Sequence, residues 1–248
     1  MEKYMSGPIS LADYNELSFI ALVYGNQGVG KTVLACSSQS LRTFVIDVDK
    51  GVASAKCSDL VNNKLITVWQ IKNYDDFLKA LDYFVANQAY FDLLVVDTAT
   101  ELQRYLVYEI CLKRKIETPD QRAWGVVLTQ MEYVTRLCRD LKKHAIFLAH
   151  ETSYTDEITK RMFIKPSFQG QYGTYYGKHF SIIMRYTLVE RQQKQNDGTV
   201  QAVTDRWLMC QRDPFIDAKD RFSVFNKWEY PHLDTIIKKA MEKIAQSQ

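Results

Sequence analysis

The chain has 248 residues, 46% of them hydrophobic, which is enough to bury one sizeable core in a single α/β domain. Its formal net charge of +3 is too small to indicate a polyanionic partner, although clustered cations would be compatible with one. The five cysteines are widely spaced without a CxxC pair, which argues against a zinc site and favours a reducing, cytoplasmic setting. No apolar run approaches the roughly 18 residues that cross a membrane, so no membrane partner is expected.

Apolar, strand-like runs alternate with segments of helical periodicity over the first part of the chain. This alternation predicts an α/β fold with a mostly parallel central sheet flanked by helices on both faces. Two apolar stripes, at 77–85 and 127–141, predict helices that face the core. The predicted strands are 18–24, 42–48, 65–70, 91–97 and 145–149.

The sequence after residue 150 has a different pattern of polar and apolar residues. A long polar and aromatic segment precedes two strand-like runs, 181–190 and 206–211, which the turn residues Asn196-Asp197-Gly198 separate. This pattern predicts a β-hairpin that extends the sheet. Helical spacing after Pro231 predicts a terminal helix. We therefore expect one domain over 1–248, made of an N-terminal arm (1–17), a core (18–225) and a C-terminal helix (231–245).

A glycine-rich loop follows the first predicted strand and opens a helical segment, which is the context of a phosphate-binding loop. Its N–H groups and the helix N-terminus would hold phosphates, Lys31 would reach the terminal phosphates, and Thr32 would coordinate Mg²⁺. A chance glycine-rich turn is the alternative. The pattern favours an ATPase that uses ATP and Mg²⁺. The expected nucleotide-binding residues are Gly25, Asn26, Gln27, Gly28, Val29, Gly30, Lys31, Thr32 and Val33.

Two further predicted strands end in carboxylates, at the sheet edge where ligands of parallel sheets bind. Asp97 ends the strand at 91–97 and would support Mg²⁺, unless it only caps the next helix. Asp47 and Asp49 occupy alternate positions and are therefore expected to point to the same face. One of them could polarise the attacking water; the alternative is that Asp49 belongs to a polar turn.

The string Ile46-Asp47-Val48-Asp49 resembles the strand end of RecA-like recombinases, in which a catalytic glutamate occupies the position matching Asp49. Here the residue is the shorter aspartate. The resemblance implies a RecA-like P-loop core over about residues 18–225, with Asp49 as the catalytic base. It also implies that His150 is the sensor of the γ-phosphate, on a strand between the phosphate-loop strand and the Asp97 strand.

The resemblance also implies two DNA-binding segments. Residues 151–179 stand where recombinases carry a mobile DNA-binding loop, and a second basic stretch stands at the place of the other loop. Aromatic rings can stack on bases while cations neutralise phosphates, which suits single-stranded DNA. A tyrosine-rich loop packed on the sheet or on a neighbouring subunit is the alternative. The residues expected to contact DNA are Lys160, Arg161, Lys165, Tyr172, Tyr175 and Tyr176 in the first segment and Lys113 and Arg114 in the second.

The string Ala218-Lys219-Asp220-Arg221 resembles a stretch of RecA-like phage ATPases, including single-strand annealing proteins. In RecA-like filaments, cations in this region stabilise charge on the γ-phosphoryl group of a neighbouring subunit, whereas ordinary surface charge is the alternative. The resemblance implies that Lys219 and Arg221 act in this way.

Taken together, the motifs predict an Mg²⁺-ATP-dependent protein that binds single-stranded DNA and promotes annealing or strand exchange as a homo-oligomer, a filament or a ring. DNA would stimulate hydrolysis of ATP to ADP and phosphate, and a single-stranded-DNA-binding protein is a candidate partner. The implied location is the cytoplasm of a bacterial or phage-infected cell. The alternative is a RecA-core ATPase that switches protein partners without touching DNA.

Overall fold

The structure is a computed structural model that describes residues 18–194 and 200–246. The predicted N-terminal arm (1–17) and the turn at 196–198 lie outside the described residues. No helix within the described ranges is long and apolar enough to cross a membrane.

Five parallel strands form the centre of the sheet, and each coincides with a predicted strand. They run in the spatial order β1-β5-β4-β2-β3, so β5 lies between the phosphate-loop strand and the Asp97 strand, as predicted. The main difference is that β5 extends well beyond the predicted end at residue 149. Their bounds are β1 (Ile20–Gly25), β2 (Thr43–Asp47), β3 (Ile66–Gln70), β4 (Leu93–Asp97) and β5 (His144–Thr155).

Five short or peripheral strands complete the ten-stranded sheet of the described residues. They are β6 (Met162–Pro166), β7 (Ile182–Lys194), β8 (Val200–Met209), β9 (Lys219–Asp220) and β10 (Trp228–Glu229). Strand β7 pairs in parallel with β1, and β8 pairs with β7 in the antiparallel hairpin that the sequence predicts. Strand β6 folds back on the long β5.

Helices cover both faces of the sheet. Those on one face are α3, α4 and α5, whereas α1, α2 and α7 bury their apolar side chains against the other. The two predicted apolar stripes lie in α3 and α5. The helices are α1 (Lys31–Ala35), α2 (Ala53–Lys56), α3 (Tyr74–Ala86), α4 (Ala99–Arg114), α5 (Gln121–Asp140), α6 (Tyr172–Tyr175) and α7 (Leu233–Gln246).

Side-chain caps set where the long helices begin. Asn73, Thr98 and Asp120 each accept a hydrogen bond from a backbone N–H in the first turn of α3, α4 and α5. Because Thr98 directly follows Asp97, α4 starts at the carboxyl edge of the sheet. That edge gathers the ends of β1, β2 and β4, where the predicted site residues stand.

The expectation that residues 151–179 form an open, mobile loop is wrong. The first residues continue β5 into a hairpin with β6, and the rest packs against the core through α6 and a 3₁₀ turn at Tyr176–Lys178. Tyr172 and Tyr176 are only 1% and 3% exposed and join the core cluster that contains α5. Their rings are therefore inaccessible to DNA bases. Burying a large aromatic ring in the core is more favourable than leaving it exposed to water.

Candidate active site

The glycine-rich loop joins the buried strand β1 to the short helix α1. Gly28 and Gly30 have φ angles of 77° and 103°, a region that residues with a side chain rarely adopt. Gly25 is needed for a different reason, since a Cβ atom there would meet the backbone oxygen of Tyr186 at 2.1 Å. The turn therefore depends on glycine at each of these predicted positions.

Lys31 folds back into the loop. Its Nζ donates hydrogen bonds to the carbonyl oxygens of Gly25 and Asn26, both at 2.9 Å. Burial lowers the pKa of Lys31, and the carboxylates of Asp97 and Glu151 oppose that shift. The ammonium group thus lies where the loop would hold phosphate oxygens. Bound phosphate oxygens could replace the two carbonyl oxygens as its hydrogen-bond acceptors, since a charged acceptor forms the stronger bond.

Thr32 and Asp97 meet where α1 faces the end of β4. The Thr32 hydroxyl donates to Oδ2 of Asp97 at 2.7 Å, although the two residues are 65 positions apart. Burial raises the pKa of Asp97 to about 7, and the bond from Thr32 opposes the rise. A hydroxyl beside a carboxylate supplies oxygen ligands of the kind that Mg²⁺ prefers.

The chemistry of this pair fits a magnesium–nucleotide complex rather than a bare metal ion. No cluster of three or more His, Cys, Asp or Glu side chains that could hold a metal occurs in the described part of the chain. Mg²⁺ commonly takes one or two protein ligands and fills its remaining positions with water and substrate phosphates. Thr32 and Asp97 match that pattern, and both lie beside Lys31.

The two carboxylates at the end of β2 differ in exposure, although the charges of both act on Asp97. That they point to the same face stays a prediction. Asp47 ends β2, is fully buried and lies in register with Asp97 of β4. Asp49 is exposed, because the strand has ended and the chain turns through Lys50 at a φ of 64°. Its Oδ1 accepts the N–H of Gly51 at 2.9 Å, so the local polar turn is present as well.

Burial raises the pKa of Asp47, and the amide of Gln70 opposes that shift. Asp49 remains the candidate base, because it is open to water and its charge acts on both Lys31 and Asp97. Asp47 is closed to water and is therefore unsuited to that role.

His150 lies on β5 beside Gly25, the last residue of β1. Burial lowers the pKa of its imidazole, and the charge of Lys31 lowers it further, so the ring is neutral at pH 7. A neutral imidazole next to the loop can donate one hydrogen bond, as the predicted γ-phosphate sensor requires. Strand β5 does not end there but continues into the hairpin with β6, which connects this residue directly to an exposed surface.

Residues 19–222 match a protein family described as the AAA domain. The chain belongs to this AAA domain family. Family membership and the strand order around β1 support the RecA-like P-loop ATPase core predicted from the sequence.

Similarity to other known proteins gives little further information about this AAA domain. A KaiC-like protein from the hyperthermophilic archaeon Pyrococcus horikoshii OT3 has a similar structure with a TM-score of 0.44 and 14% identity, covering 77% of each chain. Similarity at that level carries no information about function. Comparison with curated protein sequences gives no significant match.

The ammonium group of Lys219 in this AAA domain forms hydrogen bonds within its own chain. Its Nζ donates to the carbonyl oxygens of Gly177 and Phe180 at 2.8 and 2.7 Å, and burial lowers its pKa. The predicted contact of Lys219 with the ATP of a neighbouring subunit would require its ammonium group to give up these two hydrogen bonds, as Lys31 would in the glycine-rich loop. Arg221 is exposed, and its side chain makes no hydrogen bond or ion pair with other described residues. It remains the candidate for a contact between subunits.

Lys113 and Arg114 lie on a different element from the first predicted DNA segment. They occupy the last turn of α4, in ion pairs with Glu109 and Asp120. Lys113 Nζ also lies 3.8 Å from a carboxylate oxygen of Asp75, in the first turn of α3, which follows the carboxyl end of β3. The contact of this pair with DNA stays a prediction.

The hairpin of β5 and β6 carries aromatic and basic side chains on its surface. The rings of Tyr154 and Phe163 stack with centroids 5.2 Å apart, and the ammonium of Lys165 lies 5.3 Å from the Tyr154 ring. Arg161 lies 5.3 Å over the ring of Phe215. Lys160, at the hairpin turn, and Tyr175 are exposed. An open cleft of about 630 Å³ beside the hairpin is lined by the cations Lys165, Lys178, Arg212 and Lys219.

Sequence reasoning missed two groups beside the loop. Arg185 and Glu151 form an ion pair at 2.9 Å, with side chains only 13% and 10% exposed, on the strands that flank β1. Arg206 donates from Nε to the carbonyl oxygen of Val29 at 2.9 Å, across 177 positions of sequence. No motif marks these residues, because only strand pairing brings them to the loop.

Proposed function

We propose that this AAA domain hydrolyses ATP with the help of Mg²⁺. The proposal rests on the contact between Thr32 and Asp97 beside Lys31. A hydroxyl, a carboxylate and an ammonium group thus lie together at the glycine-rich loop. When bound there, Mg²⁺ would neutralise charge on the phosphate oxygens. Thr32 and Asp97 would hold it, and Lys31 would bind terminal phosphate oxygens in place of its present carbonyl partners.

Two neighbouring residues complete the proposed chemistry. Asp49 would accept a proton from the attacking water, since it is the exposed carboxylate next to the buried pair. His150 would donate a hydrogen bond to the transferred phosphoryl group from the adjacent strand. Both roles require only groups that already lie at the carboxyl edge of the sheet.

We further propose that the protein binds single-stranded DNA on the β5–β6 hairpin and promotes annealing or strand exchange as a homo-oligomer. Stacked, partly exposed rings with cations over their faces support this, because such rings accept bases and the cations accept phosphates. The hairpin grows from the strand that carries His150, which would link nucleotide state to DNA binding. The contact surface centres on Tyr154, Arg161, Phe163, Lys165 and Arg212 instead of the buried Tyr172 and Tyr176.

The decisive experiment measures ATP hydrolysis with and without a single-stranded oligonucleotide. Hydrolysis that needs Mg²⁺ and rises with DNA supports both proposals. The double variant Arg161→Ala with Lys165→Ala should weaken oligonucleotide binding and flatten its salt dependence, by a slope of about 0.7 for each lost phosphate contact. Lys79→Ala, which changes an exposed lysine of α3 outside both predicted DNA segments, is the matched control and should change neither quantity.

Hydrolysis without any DNA binding at low salt would support the other candidate, a nucleotide-dependent switch that binds protein partners. Absence of hydrolysis in the folded wild type, with and without DNA, would contradict the ATPase proposal itself.

A further inference from the structure

Arg206 contacts the phosphate loop from the hairpin of β7 and β8. It lies on β8 in register with Leu188 of β7, and its Nε donates to the carbonyl oxygen of Val29 at 2.9 Å. A Cβ atom built on Gly30 would lie 3.6 Å from that Nε and 3.8 Å from the ring of Tyr186. The guanidinium group therefore rests on the loop at the residues just before Lys31.

Most of this guanidinium group is free for a ligand. An arginine carries five N–H donors in one plane, and Arg206 makes no other hydrogen bond or ion pair with the described residues. The side chain is exposed. Leu188 stands next to it on the same face of the hairpin and is 54% exposed, so its apolar side chain is accessible to a ligand. A planar cation and an apolar side chain thus form a wall beside the loop.

The strand order determines which end of a nucleotide would face this wall. Thr32 and Asp97, which would hold the metal and the terminal phosphates, lie toward β4, two strands to one side of β1. Strands β7 and β8 lie on the other side of β1. A nucleotide that extends across the loop with its last phosphate at Asp97 would place its ribose and base toward Arg206 and Leu188.

We propose that Arg206 and Leu188 bind the nucleoside end of ATP, with the guanidinium plane stacked on the base and Leu188 packed against its edge. This inference rests on the proposed ATPase function. Arginine is suited to the task, because its flat, weakly hydrated group stacks on aromatic faces while Nε keeps its bond to the loop. The hairpin would then select the ligand by its base, whereas the glycine-rich loop binds its phosphates.

The test compares two ligands that differ in the nucleoside. A non-hydrolysable ATP analogue and inorganic tripolyphosphate are titrated, each with Mg²⁺, into the full chain by calorimetry. Arg206→Ala should weaken binding of the analogue about tenfold and that of tripolyphosphate by about twofold or less, since a desolvated stacking contact is worth roughly one factor of ten. In steady state, KM for ATP should rise with little change in kcat, because the contact is equal in the ground and transition states.

Two variants control the experiment. Arg191→Ala removes another arginine of the same hairpin, one whose side chain alternates to the opposite face and pairs with Asp205, and should leave both affinities unchanged. Arg206→Lys keeps the charge but not the plane, so it should bind the analogue as weakly as Arg206→Ala.

Equal weakening of both ligands by Arg206→Ala would overturn the inference, because Arg206 would then only support the loop through Val29. Unchanged binding would overturn it too, and so would full rescue by lysine, which would indicate a charge contact to phosphate. A wild-type chain that binds tripolyphosphate as tightly as the analogue removes the nucleoside site and leaves the ATPase proposal intact. A wild-type chain that binds neither ligand contradicts both.

Discussion

Replacing Asp97 by asparagine should stabilise the ligand-free protein at neutral and higher pH. The Asp97 carboxyl has a pKa of about 7 in the fold, mainly because burial disfavours its charge. An aspartate in an unfolded chain has a pKa near 3.9, so keeping the folded carboxylate ionised at pH 8 costs about 4 kcal/mol. Asparagine has the same shape without the charge, and part of the gain is lost with the bond from Thr32, so we expect a gain of about 2–4 kcal/mol.

The sign of the pH dependence follows from the same values. Because the folded pKa lies above the unfolded one, the penalty is complete above about pH 7 and fades as pH falls toward 4, where Asp97 is protonated in the folded state and about half protonated in the unfolded state. The stability difference between variant and wild type should therefore be largest at pH 8 and nearly vanish near pH 4. Titrating groups that do not interact with Asp97 are common to both proteins and cancel in the difference.

The assay is thermal unfolding of both proteins between pH 4 and 8 in the presence of EDTA. For a domain of this size, the expected gain corresponds to roughly 5–15 °C in Tm at pH 8. Asp59→Asn, which changes an exposed aspartate, should follow the wild type throughout. A Tm for Asp97→Asn that equals the wild-type value at pH 8, or a gain that persists unchanged at pH 4, would refute the buried-charge argument.

Three further predictions test the roles assigned at the site. Lys31→Ala should lower hydrolysis by orders of magnitude in a folded protein while the exposed control Lys72→Ala stays normal, and turnover by both would remove Lys31 from the mechanism. Asp49→Asn should bind Mg²⁺-ATP with near wild-type affinity but hydrolyse it slowly, whereas Asp97→Asn should also lose metal-dependent binding; titration and single-turnover assays separate the two. Mixed Lys31→Ala and Arg221→Ala subunits should recover partial activity if Arg221 completes a neighbour's site, and co-assembly without recovery would exclude that contact.

The phosphate loop and the central strands could be predicted because their causes are local. Gly28 and Gly30 adopt backbone angles that other residues avoid, and their spacing before Lys31 is visible in the sequence. Apolar runs of strand length mark β1, β2, β4 and the first part of β5, since both faces of these segments are buried. The alternation of the β7–β8 hairpin is equally local, and the structure confirms it.

The aromatic segment shows where local reasoning fails. Tyr172, Tyr175 and Tyr176 look alike in the sequence, yet the first and last are buried and Tyr175 is 48% exposed. The sequence shows that aromatic and basic residues are close along the chain. It does not show which of their side chains are exposed to solvent. The same holds for Asp47 and Asp49, since the sequence does not show that the first is buried and the second exposed.

The glycines that permit the turn, and the lysine and threonine that follow them, are visible in the amino-acid sequence alone. Which distant groups join this loop depends on the tertiary structure. Parallel pairing of β5 with β1 and of β4 with β5 brings Asp97 to Thr32, and the β7–β8 hairpin brings Arg206 to Val29. The physical reason is that strand order and register fix which side chains meet at the carboxyl edge, and both are set by packing over the whole sheet.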